Sequence, residues 1–296
     1  MVSPRICIIL SLYRGERFLE KYLNNVLEQT IAHQIELSIV HNEPNEIECQ
    51  ILERFSKKIP IVKCSVQREN LYSSWNRALA QSTAPYVACW NVDDTRAPDS
   101  LERMAEMLDS NPICGWTYGD FVVTHEFCSQ KGRMAHTPEW SLEHSTNGAI
   151  GGPFFMWRRS LMDKTGWFDE QFSSGGDFDF TVRLSLNSEG IRTPGILGYF
   201  LNERTGLSTT GDRHYIERTA IQLRYGIYQT IDWKYVPRAL NMRVCHILQP
   251  DGHWSPIEQF VPYYDDLLDA RYVNAWLIPY CTVKSAVIRQ FKRLLA

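Results

Sequence analysis

The segment YVACWNVDD, residues 86–94, decides the fold, because five apolar residues run directly into a polar turn that carries two adjacent carboxylates. A short apolar run of this kind, followed by turn residues, is typical of a strand that is buried on both faces of a parallel sheet. In open parallel sheets, ligands bind beyond the carboxyl ends of the strands. The segment therefore predicts a buried strand over residues 86–90 with a ligand site at its end.

The residues before this segment repeat one pattern, in which an apolar strand precedes an amphipathic helix. The first strand is the continuous run RICIILS, and apolar positions recur every three or four residues in the helix that follows it. Alternation of strands and helices implies a mostly parallel sheet with helices on both faces. The predicted strands are residues 5–11, 35–40, 61–66 and 86–90, and the predicted helices are residues 15–30, 46–55 and 71–79.

The second half of the chain begins with a fourth helix, which Pro98 opens and the Asn-Pro pair at residues 111–112 ends. A strand is expected around residues 115–124. Residues 125–150 are polar, contain three histidines and have weak periodicity, which predicts a surface loop or flap. A further helix with an acid-rich first turn is expected to open near Asp177.

Composition places the chain among ordinary soluble globular proteins, with 296 residues of which 44% are hydrophobic and 22% are charged. The formal net charge of −3 provides no basic field, so nucleic acid is not an expected partner. The eight cysteines form no CxxC pair, which predicts reduced thiols and a cytoplasmic protein. No apolar stretch of the sequence reaches the length of a transmembrane helix.

Polar residues follow each of the four predicted strands, at the sheet edge where ligands are expected. Arg14 and Arg68 could contact a phosphate there, and a solvated surface position is the alternative for each. The four strand ends are Leu12-Tyr13-Arg14, His41-Asn42-Glu43, Arg68-Glu69-Asn70 and Asn91-Val92-Asp93-Asp94.

Asp93 and Asp94 are the most specific of these features, since both carboxylates follow a predicted buried strand and should lie at the edge of the sheet. Carboxylate oxygens bind hard divalent cations such as Mg²⁺ or Mn²⁺, and such a cation would bridge them to a diphosphate. It would stabilise the charge that develops on a departing phosphate. The alternative is a solvated turn before Pro98, which is the commoner setting of an arbitrary Asp-Asp pair.

Five segments in a fixed order resemble the family 2 glycosyltransferases of the GT-A type, over roughly residues 4–208. The resemblance implies a GT-A fold, with a mostly parallel central sheet flanked by helices. It also implies transfer of a sugar from a nucleoside diphosphate donor to an acceptor. The segments that carry it are residues 11–30, 70–80 (NLYSSWNRALA), 91–94, 166–170 (GWFDE) and 177–179 (DFD).

The resemblance implies that Asp177 is the catalytic base, which deprotonates the acceptor hydroxyl as that oxygen attacks the anomeric carbon with inversion. Its place near a helix N-terminus is expected to keep the carboxylate ionised. Asp179 is a rival, and since residues two apart on a helix do not share a face, only one of the two should point into the site. The residues expected to contact the donor are Leu12, Tyr13, Asn42, Asn70, Asn76, Asn91 and Asp93, and those expected to hold the metal are Asp93 and Asp94.

The domain organisation expected from these elements is a glycosyltransferase domain over residues 1–210 and a helical C-terminal extension over residues 211–296. The domain divides into a nucleotide-binding half, about residues 1–112, and an acceptor half, about residues 113–210. The chain shows no internal repeat and no low-complexity linker.

The sequence departs from the family pattern in three places. Asn91 stands where the metal motif usually begins with Asp, Asn42 and Glu43 replace an acidic pair, and Gly176 replaces the acid before the base. These departures keep open a non-catalytic sugar- or nucleotide-binding homologue. A sugar-phosphate nucleotidyltransferase is a further alternative, but only Gly15 is found where its glycine-rich phosphate loop is expected.

The C-terminal run VKSAVIRQFKRLLA, residues 283–296, places apolar side chains on one helical stripe and basic ones elsewhere. Such a helix could lie on the anionic inner face of a membrane, which suits a glycan or lipid-linked acceptor in envelope or surface polysaccharide synthesis. Packing against the domain or a partner chain is equally expected. His214, Asn202 or Glu203 could add a metal ligand, although a histidine in a polar turn is more often solvated.

Overall fold

The computed structural model describes residues 3–147, 150–203 and 211–268, and it is centred on a nine-stranded sheet. The strands are β1 (Ile6–Leu12), β2 (Ile35–Asn42), β3 (Ile61–Val66), β4 (Tyr86–Cys89), β5 (Thr95–Arg96), β6 (Cys114–Thr124), β7 (Arg133–Ala135), β8 (Met156–Arg158), β9 (Glu189–Leu201), β10 (His246–Leu248) and β11 (Trp254–Pro256). The helices are α1 (Glu16–Leu27), α2 (Glu46–Ser56), α3 (Leu71–Ala80), α4 (Ser100–Ser110), α5 (Leu142–Asn147), α6 (Met162–Thr165), α7 (Gly176–Asn187), α8 (Arg213–Arg224) and α9 (Val236–Ala239).

The strand order in the large sheet is β3-β2-β1-β4-β8-β6-β9-β5, with β7 paired to β6. Strands β3, β2, β1 and β4 are parallel to one another, as are β6 and β9, whereas β5, β7 and β8 run antiparallel to their neighbours. The carboxyl ends of the first four strands therefore meet at one edge. The predicted α/β fold with a mostly parallel sheet is confirmed.

Strand β1 explains why its sequence is continuously apolar. Ile6, Ile8 and Leu10 pack into the hydrophobic core on one face of the sheet, while Cys7 and Ile9 pack into the core on the other. All five side chains are fully buried. Because successive side chains of a strand point to opposite faces, a strand covered on both faces needs apolar residues at every position.

The predicted surface loop over residues 125–150 contains strand β7 and helix α5 within its described part. Asp120, on β6, ties this segment to the sheet by accepting hydrogen bonds from the Thr137 backbone and hydroxyl, and by pairing with Arg192 on β9. Partial burial opposes ionisation, but these bonds together bring the pKa of Asp120 down to about 2. The segment is therefore held by a charged anchor.

The segment after Gly211, predicted to be helical, contains α8 and α9 and also a hairpin that sequence analysis missed. Strands β10 and β11 pair antiparallel around a turn in which Gly252 has φ +85°. The signal was Pro-Asp-Gly at residues 250–252, a turn sequence between two short apolar runs. The predicted membrane-facing helix over residues 283–296 lies outside the described residues. None of the helices in the described ranges has the length and apolar character to cross a bilayer.

Candidate active site

Tyr13, beyond the end of β1, lies among positively charged side chains at the predicted edge of the sheet. The Arg68 guanidinium lies 3.9 Å from the centre of its ring, and that of Arg14 lies 5.1 Å away. Both arginines are exposed, and neither pairs with a carboxylate anywhere in the described part of the chain. Leu12 is fully buried, so its side chain belongs to the core. The edge therefore offers an aromatic ring and two cations to an anionic ligand.

The backbone at this edge is held in an unusual conformation. Arg14 has φ +49° and Glu43 has φ +46°, a left-handed region that non-glycine residues adopt only where surrounding contacts impose it. Glu48 supplies one such contact: its carboxylate accepts the Gly15 N–H at 2.6 Å and lies 2.8 Å from the His41 ring. Glu48 and His41 are fully buried. Sequence analysis did not single out Glu48, because a glutamate on a helix gives no sign of pointing inward.

Asn42 is also placed by the end of β2, but its amide is engaged within the protein. Its nitrogen donates to the hydroxyl oxygens of Ser74 at 3.0 Å and Ser11 at 3.3 Å, and its oxygen accepts the Glu69 N–H at 2.9 Å. Its exposed fraction is 1%. Asn42 thus joins β1, β2 and α3 beneath the surface, and an aspartate there would lose the amide donor.

Asn70 and Asn76 connect α3 to the loop before α7. Asn76 exchanges two hydrogen bonds with the Phe168 backbone, both at 2.9 Å, and donates a third to the Glu170 carboxylate at 2.9 Å. Asn70 caps α3 by accepting the Ser73 N–H at 2.8 Å, and it donates to the Glu170 carbonyl at 2.8 Å. Both side chains therefore hold α3 against the loop before α7.

The two carboxylates after β4 have different surroundings. Asp94 is 1% exposed and accepts the Leu201 N–H at 3.0 Å, so it braces the ends of β4 and β9 against each other. Burial and the charge of Asp93 raise its pKa well above the usual range. Asp93 is partly exposed, and burial and the Glu203 charge raise its pKa. Glu203 also pairs with Arg17.

Asp93 is the more accessible carboxylate of the predicted metal pair Asp93 and Asp94. The fully buried Asp94 carboxylate already accepts a backbone N–H. Asp93 and Glu203 are oxygen donors that repel each other, and a cation relieves that repulsion. Within the described ranges, no group of three or more His, Cys, Asp or Glu side chains is arranged around one point. A cation here would need phosphate oxygens and water to complete its coordination.

Asp177 lies in the first turn of α7 and is partly exposed. Its Oδ1 accepts hydrogen bonds from the Tyr72 hydroxyl at 3.3 Å and the Phe178 N–H at 2.9 Å. Its Oδ2 has no hydrogen-bond partner on any other described residue. Burial raises the pKa of Asp177, while the hydrogen bonds from Phe178 and Tyr72 and the nearby His214 act to lower it. One carboxylate oxygen is thus left available for a proton.

Asp179 has no such availability. It is fully buried and accepts from Arg183 at 2.8 Å, Arg224 at 2.5 Å and the Tyr225 hydroxyl at 2.8 Å. Burial alone would raise the pKa of Asp179, but the two guanidinium groups bring it below the usual value. The Asp179 side chain therefore points into the core, whereas Asp177 is partly exposed.

A side chain at position 176, where the family usually has an acid, would clash with a neighbouring ring. A Cβ at this position would lie 2.7–2.8 Å from three atoms of the Tyr72 ring. Tyr72 is 1% exposed and is the hydroxyl donor to Asp177. The glycine therefore allows Tyr72 to reach the carboxylate.

The loop before Asp177 is fixed from the C-terminal segment. The Glu217 carboxylate, 1% exposed on α8, accepts the backbone N–H groups of Ser173, Ser174 and Gly175 at 2.7–3.1 Å. His214 Nδ1 lies 3.2 Å from the Ser174 hydroxyl. Sequence analysis considered His214 as a metal ligand and missed Glu217. Helix α8 therefore forms one wall of the site.

The sequence is similar to one described protein family and to individual known proteins. A model described as Glycosyl transferase family 2 matches residues 7–166. Chondroitin synthase of Pasteurella multocida is 23% identical over 185 residues, which is 62% of this chain and 19% of that protein. The uncharacterized glycosyltransferase EpsJ of Bacillus subtilis is 21% identical over 202 residues, or 64% of this chain and 58% of that protein. The chain thus spans about a fifth of the length of the synthase.

Solved structures of the same fold bind nucleotide sugars. S. aureus TarS 1-349 in complex with UDP-GlcNAc aligns with a TM-score of 0.64 at 15% identity, covering 89% of this chain and 84% of that one. The mannosyltransferase PcManGT from Pyrobaculum calidifontis, in complex with GDP-Man and Mn²⁺, aligns with a TM-score of 0.56 at 13% identity and covers 100% of this chain and 85% of that one. These similarities establish the GT-A fold.

Proposed function

This chain belongs to glycosyl transferase family 2, and we propose that it transfers one sugar from a nucleoside diphosphate donor to a glycan or lipid-linked acceptor with inversion at the anomeric carbon. The observation that carries the proposal is Asp177. It is a partly exposed carboxylate with one oxygen held by Tyr72 and the other without a partner on any other described residue, and it lies close enough to Cys89, at the carboxyl end of β4, for its charge to act on that thiol.

In this mechanism Asp177 accepts the proton of the acceptor hydroxyl. Burial raises the pKa of Asp177, and this favours the role because a stronger base takes the proton more readily. The hydroxyl oxygen forms a bond to the anomeric carbon as the bond from that carbon to the phosphate oxygen breaks. Attack opposite the leaving group inverts the anomeric configuration, and the Tyr72 hydrogen bond holds the carboxylate in place.

The donor diphosphate lies in this proposal at the ends of β1 and β3. The exposed guanidinium groups of Arg14 and Arg68 supply positive charge, and the Tyr13 ring supplies a flat surface for the nucleobase. A Mg²⁺ or Mn²⁺ ion would be held by Asp93 and Glu203. When bound, it would supply charge that offsets the negative charge of the departing diphosphate.

The cellular setting is part of the same proposal. Relatives named for chondroitin and hyaluronan synthesis support a place in envelope or surface polysaccharide synthesis. Six cysteines in the described ranges carry free thiols, which supports a cytoplasmic location, where thiols stay reduced; they are Cys7, Cys49, Cys64, Cys89, Cys114 and Cys128.

The test is transfer from a panel of UDP- and GDP-linked sugars, with Mn²⁺ and a mixture of oligosaccharide and lipid-linked primers, followed by proton NMR of the anomeric signals. We expect one donor to be consumed, with a product of inverted anomeric configuration. A product that retains the configuration would contradict Asp177 as a base acting in a single displacement. Donor binding without turnover across the acceptors would instead favour the non-catalytic homologue that Asn91 keeps open.

A further inference from the structure

Helix α8 contacts the loop that leads into the proposed catalytic base, and it carries an exposed aromatic ring. Its Glu217 holds the loop that leads into Asp177, and its His214 contacts Ser174 and lies near enough to Asp177 to influence the pKa of that carboxylate. Tyr215 is the next residue along the helix. Its exposed fraction is 53%, and no other large hydrophobic side chain within α8 is exposed.

The Tyr215 ring is supported from behind. It stacks on Tyr235 with ring centres 5.4 Å apart and planes inclined by 5°, and the His214 ring meets it edge-on at 5.7 Å. Tyr235 is buried, and its hydroxyl donates to the Asp212 carboxylate at 3.2 Å. Arg238 donates to the other oxygen of Asp212 at 2.9 Å. One face of Tyr215 is therefore covered by Tyr235, and the opposite face is open to solvent.

We propose that the open face of Tyr215 is the acceptor subsite, and that it takes a pyranose ring of a carbohydrate acceptor. This inference rests on the proposed function. The C–H groups of a pyranose form an apolar face that packs on an aromatic ring, while its hydroxyls need polar partners around the rim. The Asp212 carboxylate, Arg238 guanidinium and His214 imidazole provide such partners next to the ring.

The surroundings favour a sugar over a protein or a lipid chain. A single ring beside a carboxylate, a guanidinium and an imidazole is too small and too polar for an apolar docking surface. It suits a ligand that is apolar on one face and polar at its edges. Because α8 is anchored to the loop before Asp177, a sugar stacked on Tyr215 has its position fixed relative to the base.

The experiment compares Tyr215→Ala, Tyr215→Phe and the wild-type protein in acceptor-dependent transfer. We expect Tyr215→Ala to raise the KM for a pyranose oligosaccharide about tenfold, from the loss of ring stacking. The KM for the donor and the slow donor hydrolysis without acceptor should be unchanged. Tyr215→Phe keeps the flat face and should keep the wild-type acceptor KM. Tyr263→Ala is the matched control, because Tyr263 is 83% exposed and makes no ring contact with the described residues.

A second measurement separates this proposal from the proposed function. Saturation-transfer NMR of gluco-, galacto- and mannopyranosyl oligosaccharides detects binding whether or not transfer occurs. Binding by the wild type that Tyr215→Ala loses supports the subsite even if no donor turns over. Three results would overturn the proposed subsite. The first is an unchanged acceptor KM in Tyr215→Ala, and the second is a wild-type protein that binds none of these sugars. The third is a preference for acceptors that lack a sugar ring.

Discussion

Gly176→Ala offers a sharp test of how the base is positioned. The new Cβ would lie 2.7–2.8 Å from three atoms of the Tyr72 ring, closer than Cβ atoms are found in real structures. The ring cannot move away freely, since it packs edge-on against Trp75 at 5.5 Å and stacks on Phe168 at 5.9 Å. Either the ring or the start of α7 must shift, and both carry the hydrogen bond to Asp177.

The size of the effect follows from two opposing terms. Overpacking of a core costs about 1–3 kcal/mol. Replacing glycine by alanine in a helix gains about 0.5–1 kcal/mol, and less at a first-turn position. The clash outweighs the gain, so we expect the free energy of unfolding to fall by about 1–2 kcal/mol. Displacement of the base by a few tenths of an ångström should lower kcat at least about tenfold.

The assay is urea denaturation together with steady-state transfer kinetics. Gly151→Ala is the matched control, because its Cβ would meet its neighbours far less closely: it would lie 3.3 Å from Thr181 Cγ2, which needs to give by only a few tenths of an ångström, and 3.4–3.5 Å from Trp116 and Phe155. We expect Gly151→Ala to match the wild type in both measurements. Wild-type stability and kcat in Gly176→Ala would refute the steric account of this glycine.

Four further predictions follow. Asp179→Asn should lower the free energy of unfolding by about 3–5 kcal/mol in urea denaturation, since it removes the carboxylate paired with the buried Arg183 and one of the two paired with the buried Arg224. Asp177→Asn should leave that free energy within about 0.5 kcal/mol of the wild type. Glu48→Gln should raise the donor KM several-fold with kcat little changed, because Glu48 fixes the turn that carries Tyr13; an unchanged donor KM would contradict this. The deprotonated form of Asp177 is the active form, so kcat/KM should fall as pH falls through the pKa of Asp177, which burial raises. A pH profile of kcat/KM that falls only at or below the ordinary aspartate pKa of about 4 would contradict this effect of burial. In calorimetry, Mn²⁺ should strengthen binding of one diphosphate among UDP, GDP and dTDP, and Asp93→Ala should abolish that gain; equal binding with and without Mn²⁺ would remove the metal from the account.

The hydrophobic pattern of the sequence was enough to locate the sheet, because a strand that is buried on both faces has a continuous run of apolar residues. Strand β1 needs an apolar residue at every position that is covered on both faces, and its sequence from Ile6 to Leu10 shows this without reference to the rest of the chain. The same rule placed the strand ends, and hence the edge where Tyr13 and Asp93 lie.

Roles that depend on distant contacts had no such signature. Asp177 and Asp179 are the same residue type in the same helical turn, so the sequence does not distinguish their roles. Their environments differ because Arg224, which lies 45 residues from Asp179 along the chain, pairs with Asp179. Glu217 and Glu48 are glutamates on helices, and their side chains are buried because they accept hydrogen bonds from backbone N–H groups of distant loops. Helical periodicity does not reveal such contacts. Asp94 was grouped with Asp93 because the pair is adjacent, although a backbone N–H from β9 uses its carboxylate.

The most direct test of the account is donor turnover by the wild type and by Asp177→Asn, with donor binding measured on the same samples. The substitution keeps the shape of the side chain and its place beside Tyr72, but an amide cannot accept the acceptor proton. We predict donor binding within twofold of the wild type and a loss of transfer of about 100-fold or more. Transfer at the wild-type rate by Asp177→Asn would contradict the central claim that this carboxylate is the base.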